Sequence, residues 1–153
     1  MSSAALRTSA LPVALGTQLS AEVVRVAQAL GVAVPKEFFG VELEQMLAAA
    51  DGDEDAQDYL AKALAAQFAT QSEAGKSSMT QDVLKGRRTE IEYLNGLVAQ
   101  KGREVGVATP ASDAVVAFVQ RAGVGKLEPD VENLSRLAAE LGIAVEAEAE
   151  ARL

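Results

Sequence analysis

Residues 76–96 read "KSSMTQDVLKGRRTEIEYLNG", a polar stretch between flanks that are rich in alanine. Ser78 and the glutamine three residues later have capping-box spacing, which predicts a short helix that ends near Gly86. Apolar residues at helical intervals predict a second, longer helix from about Thr89 to Glu104. The centre of the chain is therefore predicted to hold two helices, with two helix N-termini close together in sequence.

Helical patterns also fill the sequence on both sides of this stretch. Ser20 is predicted to cap the first of the flanking helices, and Gly31 is predicted to end it. Thr109 and Pro110 predict another helix start, because proline is favoured at the first helical position. The helices predicted outside the central stretch cover residues 20–30, 41–50, 54–74, 110–122 and 129–141.

The whole pattern predicts an all-α fold, a bundle of about six to seven helices. No convincing strand and no internal repeat is present in the sequence. The helix predicted from residue 54 is expected to bury one stripe of large side chains, and this stripe consists of Tyr59, Leu60, Leu64 and Phe68.

The composition excludes several classes of function. The chain has 153 residues, which suits one domain, and a net charge of −8. This charge argues against binding to nucleic acid or to an anionic membrane surface. Without cysteine or histidine, the chain has no disulfide, no Cys/His metal site and no thiol or imidazole chemistry. No apolar run is long enough to span a membrane and the N-terminus is a poor signal peptide, so we expect a cytoplasmic protein.

The polar side chains of the central stretch suit a small anionic molecule. The hydroxyls of Ser77 and Ser78, the guanidinium of Arg88 and the free N–H groups of helix N-termini are all donors to a carboxylate or phosphate. Asn95 and Gly96 lie inside the predicted long helix, where glycine costs about 1 kcal/mol relative to alanine. We therefore expect another helix or a ligand to approach closely there. The structural alternative is that the serines cap a helix and Arg88 lies on a solvated face.

The same stretch resembles the signature of the ketopantoate reductase (2-dehydropantoate 2-reductase) family, in the helical domain at the C-terminal end of its members. Residues 102–120 also resemble the next segment of that domain, in which a threonine and a proline open a helix. The residues that carry the resemblance are Ser77, Ser78, Met79, Asp82, Arg87, Arg88, Thr89, Glu90, Ile91, Asn95 and Gly96. The implied fold is an all-α domain that resembles the C-terminal-like domain of 6-phosphogluconate dehydrogenase.

The resemblance implies an NADPH-dependent enzyme that reduces a 2-keto acid to a 2-hydroxy acid in pantothenate synthesis. Glu90 matches a residue that contacts the substrate or the ribose of the cofactor, so we expect it to be catalytic and cofactor-binding. We expect no metal ligand. The residues expected to bind the substrate are Ser77, Ser78, Asp82, Arg88 and Asn95.

The sequence departs from the family pattern at two points. Family members have a Rossmann domain with a Gly-x-Gly-x-x-Gly loop on a strand–helix turn, and this sequence has no such loop. Members also place a catalytic lysine four residues before an asparagine, and none of the six lysines here has that neighbour. We therefore expect the chain alone to bind no NADPH and to catalyse no reduction, with a Rossmann domain supplied in cis or in trans. An apolar face that this domain would cover also favours a homodimer.

Three segments are expected along the chain. Residues 1–19 are an arm or a truncated first helix, residues 20–122 are the helical substrate-side domain, and residues 123–153 are a C-terminal helix with an acidic tail. The alternative function is a free-standing helical interaction module, in which the polar residues serve as caps and helix contacts. An acyl-carrier-like role fits the size and acidity, but no Asp-Ser-Leu attachment site is present.

Overall fold

The computed structural model describes residues 10–38, 40–69, 78–123, 130 and 132–143, and helices dominate this part of the chain. Seven helices and one pair of short strands occur in these ranges, which confirms the predicted all-α fold. None of the described helices is both long and apolar enough to span a membrane. The elements are α1 (Ala10–Ala29), β1 (Glu37–Phe38), β2 (Val41–Glu42), α2 (Leu43–Ala50), α3 (Glu54–Ala69), α4 (Ser78–Leu84), α5 (Asn95–Val105), α6 (Pro110–Gly123) and α7 (Glu132–Glu140).

Helix α1 is the central element of the fold, since it contacts α2, α3, α5, α6 and α7. Ser20 lies inside this helix, so the predicted cap at Ser20 is wrong. Pro12 is compatible with the earlier start because it falls in the first turn of the described helix, where N–H groups have no intrahelical acceptor. The predicted end is confirmed, because the amide of Gly31 donates to the carbonyl of Gln28 at 2.9 Å and closes the last turn.

Two hydrophobic core clusters lie within the described residues, and α1 contributes to both. The first cluster joins α1 to β2, α2 and α3, and the second joins α1 to α6 and α7. The buried members of the first cluster are Val24, Val41, Met46, Ala49, Ala56 and Leu60, and those of the second are Leu15, Phe118 and Leu137. Leu15, in the first half of α1, and Val24, in the second half, therefore connect the two clusters through one helix.

The stripe predicted for α3 is only partly correct. Leu60 is 3% exposed and Leu64 packs against the first cluster, as predicted. Tyr59 is 40% exposed, because neighbouring positions on a helix do not share a face and the burial of Leu60 turns Tyr59 toward solvent. The side chain of Phe68, the fourth member of the stripe, lies outside the described part of the chain.

A small β-ladder precedes α2. Strands β1 and β2 are antiparallel, with Glu37 opposite Glu42 and Phe38 opposite Val41. The sequence predicts no strand here, which is wrong, and it begins the helix at about Val41, two residues before the observed start of α2 at Leu43. Each strand has two residues, which is too few for the polar–apolar alternation that identifies a strand in a sequence.

Helix α7 packs against α1 and α6 at the second cluster. Leu137 is 6% exposed and lies beside Leu15 and Phe118. The amide of Glu132, at the start of the described helix, donates to Oδ1 of Asp130 at 2.9 Å. The predicted start at residue 129 lies outside the described residues, and the division of the chain into three segments stays a prediction.

Candidate functional site

Helix α4 contains the first of the predicted site residues. Ser78 is its first residue and is exposed, and Asp82 lies one turn later and is partly buried. The predicted end near Gly86 is confirmed, since Gly86 has φ 63°, a left-handed conformation that glycine adopts readily. The amide of Arg87 then donates to the carbonyl of Asp82 at 2.8 Å. Ser77, which is predicted to bind the substrate, lies outside the described residues.

The segment after α4 alternates between exposed and buried side chains. Thr89 is 8% exposed and Ile91 is 3% exposed, whereas Arg88 and Glu90 are exposed to solvent. Thr89 and Ile91 therefore anchor the segment in the protein interior, and Arg88 and Glu90 are presented to solvent from the same short segment.

Helix α5 begins at Asn95, so the predicted helix start at Thr89 is wrong. The amide of Leu94 donates to the carbonyl of Glu90 at 3.2 Å, but the φ and ψ of Leu94, −96° and −94°, interrupt the helix before α5. Gly96 is therefore the second residue of α5 and not an interior one. A Cβ atom at Gly96 would lie 3.6 Å from the carbonyl oxygen of Ile91 and 3.9 Å from Cγ2 of Val116 on α6, so another helix does lie beside Gly96, at ordinary van der Waals distance and with room for a methyl group.

Three polar side chains link this segment to α6. Nη2 of Arg88 donates to Oε2 of Glu92, four residues later. The other carboxylate oxygen of Glu92 accepts from Nε2 of Gln120 on α6, at 2.9 Å. Both hydrogen bonds lower the pKa of Glu92, and the one from Arg88 has the larger effect. The hydrogen bond and charge of Glu92 raise the pKa of Arg88.

The sequence analysis did not single out Glu92 or Gln120. The spacing of Arg88 and Glu92 is a signal that it could have used, because residues four apart are neighbours on a helical turn. Gln120 is 28 residues from Glu92 in sequence, and no local pattern indicates that contact.

A buried carboxylate fixes the start of α6. Glu22 is 3% exposed, and its two oxygens accept from the amides of Ala111 and Ser112, at 2.7 and 2.8 Å. The hydroxyl of Ser112 donates to Oε2 of the same carboxylate at 2.6 Å. The predicted helix start at Pro110 is confirmed, but these amides of its first turn are satisfied by a side chain of α1 that is 89 and 90 residues away.

The described site is an exposed segment between two helices. Arg88 and Glu90 lie together on this segment, and Asp82 and Asn95 lie partly buried on the flanking helices α4 and α5. Their contacts with a substrate or cofactor stay a prediction. Among the described residues, no group of three or more acidic side chains is placed to hold a metal ion. The large apolar side chains exposed in the same stretch are Leu84, Tyr93, Leu94 and Leu97.

Comparison with known proteins identifies the family. The family model described as Ketopantoate reductase PanE/ApbA C terminal matches residues 2–122. The chain therefore belongs to the family of ketopantoate reductase C-terminal domains, as the signature in residues 76–96 indicates.

Several curated relatives share this segment, and each is described as a 2-dehydropantoate 2-reductase. The relative from Pyrobaculum aerophilum is 33% identical over 106 residues, which are 69% of this chain and 30% of the relative. The relative from Lactococcus lactis is 49% identical over 43 residues, 28% of this chain and 14% of its own length. The one from Archaeoglobus fulgidus is 38% identical over 45 residues, 29% and 15% of the two chains.

The matched part of this chain spans less than a third of the length of these relatives. No solved structure matches the chain at the same level of significance.

Proposed function

We propose that this chain is the substrate-side domain of an NADPH-dependent oxidoreductase that reduces a 2-keto acid to a 2-hydroxy acid in pantothenate synthesis. Membership of the family supports the proposal, as do the names of the relatives. The observation that carries it is the anchored segment, in which buried Thr89 and Ile91 hold Arg88 and Glu90 at the surface. Cytoplasmic localisation belongs to the same proposal.

The exposed cation and carboxylate have complementary roles in this proposal. The guanidinium of Arg88 would receive the carboxylate of the keto acid, since its planar donors match two carboxylate oxygens. Glu90 would contact the substrate or the cofactor ribose, and it is the residue that we assign to catalysis. The hydroxyls of Ser77 and Ser78 and the polar groups of Asp82 and Asn95 would line the rest of the substrate site.

NADPH supplies the hydride in this reaction class, but the described residues contain no binding site for its pyrophosphate. Such a binding site needs a glycine-rich turn between a strand and a helix. The two described strands have two residues each, and β2 leads into α2 without that turn. We therefore propose that a Rossmann domain, in cis or in trans, binds the cofactor, and that the chain alone is inactive. The exposed apolar side chains of residues 84–97 would be covered in that assembly or in a homodimer.

The test begins with the DNA upstream of the first codon. It is searched for a Rossmann domain encoded in the same reading frame or in a neighbouring gene. The chain alone and the chain with that domain are then assayed for NADPH oxidation with 2-dehydropantoate. We expect turnover only in the second case. Glu90→Gln is expected to lower kcat/KM by roughly ten- to a hundredfold, because the loss of a charge-assisted hydrogen bond to the substrate or the ribose costs about 1.5–3 kcal/mol.

The matched control is Glu44→Gln, at an exposed position on α2 far along the chain from residues 76–96. It is expected to retain the wild-type kcat/KM. Wild-type turnover in Glu90→Gln would exclude a catalytic role for Glu90. A complete lack of turnover with every Rossmann partner would favour the interaction-module alternative.

A further inference from the structure

Arg88 is held in place although its side chain is exposed. Its side chain is 74% exposed, and a free arginine at such a position samples many rotamers. Here Nη2 donates to Glu92, and the second oxygen of Glu92 accepts from Gln120 at 2.9 Å. The guanidinium is therefore tied through two side chains to α6.

Helix α6 is held in place by contacts with the rest of the fold, so a hydrogen bond to this helix restrains a side chain. Its first turn is held by the three hydrogen bonds to Glu22, and its middle is held by Phe118, which is 9% exposed in the second core cluster. Gln120 lies on the same helix two residues after Phe118. The position of Arg88 thus depends on the packed interior and not only on its own exposed segment.

The contact with Glu92 leaves most of the guanidinium available. A guanidinium has five N–H donors in one plane, and Glu92 accepts from Nη2 alone. The carboxylate of Glu92 also repels an incoming anion, but it is 39% exposed, so water and salt screen that repulsion. The ion pair between Arg88 and Glu92 is screened in the same way, so the ordering of Arg88 relies on hydrogen-bond geometry, in which Gln120 fixes the position of Glu92 through its second oxygen.

We propose that Glu92 and Gln120 are positioning residues, which hold the guanidinium of Arg88 in an orientation that receives the carboxylate of a 2-keto acid. The identity of this anion rests on the proposed function. The ordering of Arg88 through Glu92 and Gln120 does not rest on it.

The experiment compares Gln120→Ala with a matched control, Gln100→Ala, in the full chain. Both glutamines are exposed on helices and donate Nε2 to a glutamate, Gln120 to Glu92 and Gln100 to Glu104, the latter at 3.1 Å. Circular dichroism establishes that each variant is folded. The first measurement is the order parameter of the Nε–Hε group of Arg88 from nitrogen-15 relaxation. The second is calorimetric titration of the chain with 2-dehydropantoate, with Arg88→Ala as the variant that removes the binding group.

We expect Gln120→Ala to lower the order parameter of Arg88 and to weaken 2-dehydropantoate binding by about three- to tenfold, the loss of one net hydrogen bond. Gln100→Ala should match the wild type in both measurements. An unchanged Arg88 order parameter in Gln120→Ala overturns the proposed positioning. Binding that is lost in Arg88→Ala but unchanged in Gln120→Ala overturns it too. Absent binding, or binding that survives Arg88→Ala, overturns instead the substrate role of Arg88 in the proposed function, and the order parameter still decides the positioning.

Discussion

Glu22 shows how one residue can replace a local helix cap. The first-turn amides of a helix have no intrahelical acceptor, and a side chain at the N-cap usually satisfies one of them. Here the carboxylate of Glu22 satisfies the amides of both Ala111 and Ser112 from another helix, and it accepts from the Ser112 hydroxyl as well. The contact therefore caps α6 and joins it to α1 at the same time.

We expect Glu22→Ala to lower the free energy of unfolding by about 3 kcal/mol, because it leaves two buried amides without an acceptor. Ser112→Ala removes only the hydroxyl contact and should cost about 1 kcal/mol. The measurement is urea unfolding followed by circular dichroism. The control is Glu44→Ala, at an exposed position on α2, with an expected change within about 0.5 kcal/mol. Equal stability of Glu22→Ala and the wild type would show that the cap is not needed.

The pH dependence of Glu92 follows from its two donors. The hydrogen bond from Arg88, and to a smaller degree the one from Gln120, lowers its pKa in the folded chain below the value in the unfolded chain. The stabilisation from these contacts is therefore fully present above the unfolded pKa and is lost as the pH falls through the folded pKa. We expect Gln120→Ala to raise the pKa of Glu92 toward its ordinary value, measured by the carboxyl carbon shift during an NMR titration.

A second glutamate provides the comparison for this titration. The pKa of Glu104 is lowered by hydrogen bonds from Lys101 and then Gln100. Gln100→Ala should raise the pKa of Glu104 and leave that of Glu92 unchanged, and Gln120→Ala should do the reverse. A shift of both carboxyls in either variant would contradict the assignment of the donors.

Among single residues, the sequence predicts what depends on neighbours along the chain. Arg88 and Glu90 can be singled out because the signature of residues 76–96 names them, and the structure places both at the surface. No local pattern indicates the role of Glu22, since its partners are 89 and 90 residues distant. Gln120 is missed for the same reason.

At the scale of elements, the start of α6 is packed directly against α5. A Cβ atom at Gly102 of α5 would lie 2.7 Å from the carbonyl oxygen of Val107 and 2.7 Å from Cγ2 of Thr109. Thr109 is 4% exposed and immediately precedes α6. An approach too close for a Cβ atom thus occurs not at Gly96 but at Gly102, six residues later in the same helix, against the loop that leads to α6.

We expect Gly102→Ala to destabilise the chain by about 1–3 kcal/mol, because a backbone carbonyl would have to move away from the new methyl group. Alanine is the better helix former, so propensity alone predicts the opposite sign. Gly96→Ala is the matched control in the same helix. Its nearest contact would be 3.6 Å, so it should be neutral or stabilise by up to about 1 kcal/mol. Urea midpoints of the two variants decide between packing and propensity.

Helix ends are predicted better than helix starts in this chain. Gly31 and Gly86 each end a helix as predicted, because a glycine with positive φ closes the last turn by local hydrogen bonds. Ser20 and Thr89 each have the side chain of a good cap, yet neither begins a helix. Tertiary structure overrides local preference in both places, because Ser20 lies within helix α1 and the side chain of Thr89 is buried.

At the scale of the whole molecule, α1 unites contacts that the sequence assigns to separate segments. The second core cluster contains Leu15 of α1, Phe118 of α6 and Leu137 of α7. Leu137 comes from residues 123–153, which we expect to form a C-terminal helix and tail. Its burial implies that α7 contributes to the stability of the domain.

We expect Leu137→Ala to lower the free energy of unfolding by about 2–4 kcal/mol, as is usual when a buried leucine is truncated. Leu84→Ala, at a position that is 54% exposed, is the control and should change it by less than about 0.5 kcal/mol. Both are measured by urea unfolding. If α7 were an independent appendage, the main unfolding transition of Leu137→Ala would coincide with that of the wild type.

The Glu22 cap also determines how the chain exchanges its amide hydrogens with solvent. Amides in the first turn of a helix normally exchange early, because fraying at the helix end exposes them. Those of Ala111 and Ser112 are bonded to a buried side chain of α1 and can exchange only when α1 and α6 part. These two hydrogens should therefore be among the slowest in the protein, and their exchange rates would measure directly how often the two halves of the core separate.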